Sequence, residues 1–198
     1  IDEGYTKFKF DMTNVEDLGI ETLLYIISLD KIYKEKINMS LEISIPKKKE
    51  LKYKMIVSGF IKYFRANVKI NNIDEKTIFP ICDGASNKFK NKDDGETCGE
   101  AVDFAKKFVS KDKHKEEIYR LLYVSLAELM LNTEHHAYDD ESDESDAESI
   151  INNWYLYAVK LEIGIAFYFF DNGKGINKTA RKKILEKAFG LIGLEQTN

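Results

Sequence analysis

Phe169-Phe170-Asp171-Asn172-Gly173-Lys174-Gly175-Ile176 ends the stretch of this chain that says most about its fold. The residues leading into it, Trp154 to Phe170, are rich in aromatic and β-branched side chains. They are long enough for two strands turning near Glu162-Ile163-Gly164, a pattern that half-buried strands favour. The second strand therefore delivers one carboxylate, Asp171, at its end, and two glycines follow at alternate positions. Glycine tolerates positive φ and lets backbone approach a ligand closely. A carboxylate so placed can accept a hydrogen bond from an exocyclic amine such as that of adenine.

Working backward by about 40 residues, the chain reads Glu128-Leu129-Met130-Leu131-Asn132-Thr133-Glu134-His135-His136-Ala137. It lies in a long helical pattern from about Lys115 to His136, whose apolar positions are Ile118, Leu121, Leu122, Ser125, Leu126, Leu129 and Met130. Glu128, Asn132 and His136 stand four apart, so they share one stripe of that helix, away from the apolar one. Such a helix can bury one side and hold a carboxylate, an amide oxygen and an imidazole toward a cleft. His135 points off the stripe and reads as structural or surface.

Taken together, in order, spacing and placement, the two patterns resemble the N-box and G1-box of the GHKL ATPases, the group of DNA gyrase, MutL-type proteins and sensor histidine kinases. The resemblance spans roughly 115–190. It implies a two-layer α/β sandwich of the histidine-kinase-like ATPase (Bergerat) type, with ATP and Mg²⁺ as ligands. By that resemblance Asn132 coordinates the Mg²⁺ that bridges the phosphates, a role that suits a hard amide oxygen. Glu128 corresponds to the acid that orients and deprotonates the attacking water in hydrolysing members. His136 falls near the phosphates, Asp171 reads adenine, and Gly173 and Gly175 supply the turn beside it. The second glycine box and the lid over the phosphates do not follow before Asn198. The ATPase fold is therefore expected to be incomplete at the C-terminus here. The His–acid–base setting of a phosphoacceptor histidine is also missing, and His114, between two lysines, reads as surface. Self-phosphorylation on His is not expected.

The first half alternates periods. Tyr5–Met12 alternates as a half-buried strand does, Ile20, Leu23, Leu24 and Ile27 repeat at helical spacing, and Met39, Leu41, Ile43 and Ile45 alternate again up to Pro46. A Lys-rich helix with Leu51, Met55 and Ile56 is stopped by Gly59, and Phe60–Phe64 reads as a further short strand. This βαβαβ order predicts a small, mostly parallel sheet. Its spacing resembles STAS-like modules, the fold of anti-sigma-factor antagonists, over about 60 residues. The phosphorylatable Ser of regulatory STAS domains has no counterpart in Asp17-Leu18-Gly19-Ile20, although Thr22 stands nearby. Val68–Ile73 and Thr77–Cys82 read as strands, 84–95 as a loop, and Ala101, Phe104, Ala105 and Phe108 as a helix. The expected organisation is a STAS-like α/β module over 1–82 and a GHKL-type ATP-binding domain over 97–198.

Composition sets the remaining bounds. The 198 residues carry a net charge of −4, with 43% hydrophobic and 32% charged residues, an ordinary globular balance. Basic residues are scattered, so nucleic acid is not a default partner, and no apolar run is long enough to span a membrane. The start at Ile1-Asp2-Glu3 shows no secretion signal, and its lack of Met suggests part of a longer chain. Cys82 and Cys98 read as reduced thiols, which places the protein in the cytoplasm. Seven carboxylates within 139–148 read as a solvated loop. The leading functional expectation is an ATP-binding, ATP-hydrolysing, Mg²⁺-dependent regulatory domain acting on a protein partner or a further domain. The alternatives are a serine protein kinase of the anti-sigma-factor type and a nucleotide-binding module without chemistry. The resemblance leaves a homodimer open, because many relatives work as dimers.

Overall fold

The computed structural model of the protein describes residues 7–64, 76–85, 94–109, 114–136 and 153–172. The elements run β1 (Lys7–Phe10), α1 (Ile20–Ile37), β2 (Ser40–Ile43), α2 (Lys49–Val57), α3 (Phe60–Tyr63), β3 (Ile78–Ala85), α4 (Asp94–Lys106), α5 (Lys115–His136), β4 (Asn153–Leu161) and β5 (Gly164–Asp171). The protein is a mixed α/β structure with small sheets. β1 and β2 pair in parallel, while β3, β4 and β5 form an antiparallel sheet with β4 in the centre.

Burial explains why β4 is central. Six successive residues, Asn153 to Ala158, are buried, so the strand is covered on both faces. Alternation then assigns each side chain to a layer. Tyr155 and Tyr157, with Tyr168 and Phe170 of β5, join Leu23, Leu24, Ile27, Met55 and Phe60 in one core. Trp154, Leu156 and Ala158, with Phe167 and Phe169, join Phe104, Leu126 and Met130 in a second. Helices α1–α3 therefore lie on one face of the sheet and α4–α5 on the other. The boundary expected at residue 82 falls inside β3.

Local signals account for the helix ends. Asn38 adopts the left-handed conformation (φ 51°) and closes α1, its N–H donating to the Tyr33 carbonyl. Buried Asp30 accepts from Leu41 N–H at 2.9 Å and so ties α1 to the start of β2. Gly59, at φ 81°, turns the chain between α2 and α3.

Three expectations are corrected. Phe60–Phe64 is not a strand: Phe60–Tyr63 is a helical turn that tucks the adjacent residues Phe60 and Ile61 into the first core together. A short apolar run does not distinguish these outcomes by periodicity. The mostly parallel βαβαβ sheet is likewise not formed, since only β1–β2 is parallel and β3 pairs antiparallel with β4. Finally, β1 is not half-buried, because all four of its residues are exposed. The loop expected over 84–95 is shorter at both ends, since Gly84 and Ala85 belong to β3 and Asp94 and Gly95 to α4. Residues 86–93, with Val68–Ile73 and the acidic stretch 139–148, lie outside the described residues. Among the described residues, no helix is long and apolar enough to cross a membrane. Neither Cys82 nor Cys98 is in a disulfide.

Candidate functional site

The candidate site is built on α5 and the end of β5. α5 spans Lys115–His136, as its periodicity predicts, but it buries a narrower stripe than expected. Tyr119, Leu126, Met130 and Thr133 are buried and Leu122 half-buried, whereas Leu121 is 52% exposed and Ile118 and Leu129 are each 37% exposed. The cause is a seam shared with α4. Cys98 Sγ lies 3.5 Å from Met130 Sδ, and Lys106 Nζ sits over the Tyr119 ring at 5.9 Å. This contact rotates the helix so that its buried line runs through positions 119, 122, 126, 130 and 133. Thr133, within that line, satisfies its hydroxyl by donating to the Leu129 carbonyl at 3.1 Å.

Glu128 and Asn132 both stand off the buried line and are exposed. His136 is the last residue of α5, and its side chain lies outside the described residues. Asp171 is the last residue of β5, half-buried, and in register with Trp154. It shares the strand face of Ile165, Phe167 and Phe169, which pack in the core beneath α4 and α5. Asp171 is thus on the α5 side of the sheet. Gly173 and Gly175 lie outside the described residues.

The first turns of α5 lie at the β4–β5 turn, the end of the sheet opposite Asp171. Ile118 and Leu122, early in α5, line a hollow with Glu162, Ile163 and Gly164 at the β4–β5 turn. Met130, later in α5, packs in the cluster that runs along this face of the sheet from Ile165 to Trp154. α5 and β5 therefore both lead away from the β4–β5 turn.

A hollow of about 730 Å³ is at the β4–β5 turn end of the sheet. Its walls include Phe108, Val109, Ile118, Leu122, Ile165 and Phe167. Its lysine, Lys160, is already engaged, with Nζ donating to the carbonyls of Leu161, Glu162 and Gly164 and lying 5.9 Å from the Phe108 ring centroid. Ligand pockets rely on a few polar groups that converge on the ligand, and this hollow offers little of that chemistry. We place the functional reading at the Asp171 end.

Two residues at that end escaped the sequence reading. Trp154 is buried, stacks on Phe169 with centroids 6.1 Å apart, and among the described residues its indole N–H has no hydrogen-bond partner. Gly84, its register partner on β3, makes room for the indole, because a Cβ there would overlap the ring. The sequence pattern places Gly84 in a loop; only its position inside β3 marks it as a glycine of close approach. Among the described residues, no group of three or more His, Cys, Asp or Glu side chains could hold a metal ion. Amide and carboxylate oxygens are the donor types that Mg-nucleotide chemistry uses, since Mg²⁺ takes one or two protein oxygens and completes its shell with phosphate and water, but Glu128 stands on the side of α5 away from the sheet that carries Asp171.

Comparison of the chain with protein-family models, curated proteins and solved structures returned no match.

Proposed function

We propose that the side of the molecule carrying Asn132 and Asp171 binds ATP with Mg²⁺ and hydrolyses it slowly, and that the nucleotide state controls a protein partner or a further domain in the cytoplasm. The observation that supports this most is the placement just derived. Asn132 and Asp171, about 40 residues apart in sequence, belong to a helix and a strand that pack on one face of the same sheet. That arrangement also agrees with the GHKL resemblance of the two motifs. In this reading Asp171 accepts a hydrogen bond from the adenine amine, and Gly173 and Gly175 allow backbone approach. Asn132 offers its amide oxygen to the cation, and His136 stands beside the phosphates. Glu128 holds and deprotonates a water. Bound Mg²⁺ would neutralise phosphate charge, which is its usual contribution to phosphoryl chemistry.

Calorimetry of ATP and GTP on the full chain, together with phosphate release, tests the reading. Preferential ATP binding with slow release is the expected result, and no ATP binding overturns it. Label appearing on protein in place of free phosphate would shift the activity to that of a serine protein kinase.

A further inference from the structure

Asp171 and Asn172 straddle the sheet. Asp171 is on the α5 side, and Asn172 reaches the opposite side, where Ser28 of α1 donates its hydroxyl hydrogen to Asn172 Oδ1. One helical turn further, Lys31 Nζ donates to Asn153 Oδ1 at 2.6 Å. Asn153 and Asn172 are themselves joined, since Asn172 N–H donates to the Asn153 carbonyl at 3.3 Å. Tyr25, one turn before Ser28, meets the Phe170 ring edge-on with centroids 6.2 Å apart. Three residues on one face of α1 thus grip three positions next to Asp171 and its partner Trp154, namely Phe170, Asn172 and Asn153.

The grip is specific. Ser28 is 1% exposed and Asn153 fully buried, so neither side chain can exchange its contact for bulk water. Among the described residues, the Nδ2 groups of Asn153 and Asn172 have no hydrogen-bond partner, and α1 holds each amide by its oxygen. Lys31 is steadied in turn by Asp83 of β3 at 3.9 Å.

We infer that Ser28 and Lys31 are positioning residues for the nucleotide site, and that α1 is the element through which its occupancy is regulated and read. One peptide unit separates Asn172 from the Asp171 carboxylate. A shift of α1 along the sheet therefore reorients the group proposed to read adenine, and by linkage a nucleotide on Asp171 restrains α1. This rests on the assignment of Asp171 above, and it names the route by which nucleotide state reaches the first 64 residues.

The test measures ATP and GTP affinity on the full chain for wild type, Ser28→Ala and Ser28→Thr. Ser28→Ala should weaken ATP by about fivefold or more, the lower end of usual coupling between sites. GTP should be weakened less, so that the preference for ATP falls. Ser28→Thr keeps the hydroxyl and should restore the preference. A residue that only stabilises the fold would lower the melting temperature and leave the ATP/GTP ratio intact, and that result overturns the inference. If Ser28→Ala does not fold, Lys31→Met is read instead, because the Lys31 side chain is 28% exposed and tolerates replacement. An unchanged ratio in that variant likewise overturns the inference. Wild type that binds no ATP removes the functional reading itself; wild type that binds ATP alongside an indifferent Ser28→Ala removes this inference alone.

Discussion

Trp154 and Asp171 face each other across the β4–β5 ladder, on the side of the sheet that α4 and α5 cover. The buried indole lies over Gly84 of β3 and against Phe169, and Asp171 marks where β5 ends.

Asp171→Asn should weaken ATP binding by about 1.5–3 kcal/mol, the usual worth of a hydrogen bond to a charged group. The preference for ATP over GTP should fall with it. Calorimetry with both nucleotides checks this, and an unaltered preference would remove Asp171 from base recognition.

Gly84→Ala should destabilise the protein by about 1–3 kcal/mol, because the new methyl meets the Trp154 indole and overpacking strains a dense core. Urea unfolding followed by Trp154 fluorescence reads both the stability and the indole's environment. Stability equal to wild type would show that the indole does not lie against Gly84.

The turn after β1 should give a distinct acid response. Ser44 Oγ, Thr13 Oγ1 at 2.5 Å and Thr13 N–H at 3.0 Å all donate to Asp11, holding its carboxyl far below the ordinary value of 3.8. A depressed folded-state pKa stabilises the fold above the unfolded-state value and loses that stabilisation as pH falls through the folded-state value. Wild type should therefore lose more stability than Ser44→Ala on acidification below about pH 4. Parallel losses in the two proteins would show that this hydroxyl does not hold the carboxylate.

How far the sequence carried this structure depended on the length of the signal. The 22 residues of α5 hold their helical period throughout, and its span Lys115–His136 was readable from sequence. The β4–β5 hairpin was also legible, since its aromatic run is interrupted only at Glu162-Ile163-Gly164. What periodicity could not supply was the partner of each face. α5 has more apolar residues than it buries, and its contact with α4 selects Tyr119, Leu126 and Met130 while leaving Leu121 outside. Phe60-Ile61 was too short to reveal its period. The pairing of Gly84 with Trp154 joins positions about 70 residues apart and follows only from β3–β4 register. Asn132 and Asp171 were singled out in sequence, and that their elements share one side of the sheet emerges from the packing of α5 on β4.

Glu128→Ala should leave ATP binding close to wild type and lower phosphate release by about 10²–10⁴-fold, the usual contribution of a positioned base. Glu128 is exposed on α5, so the fold should survive the change. Turnover equal to wild type in this variant would assign the base to another residue.

The most direct measurement is the Mg²⁺ dependence of ATP affinity in wild type and Asn132→Ala, taken by calorimetry on the full chain. Asn132 is exposed on a helix, where a substitution with no further role changes stability by about 0.5 kcal/mol or less. Wild type should bind ATP more tightly with Mg²⁺ than without it, and Asn132→Ala should bind more weakly and lose most of that difference. Equal affinities and an equal Mg²⁺ effect in the two proteins would contradict the account.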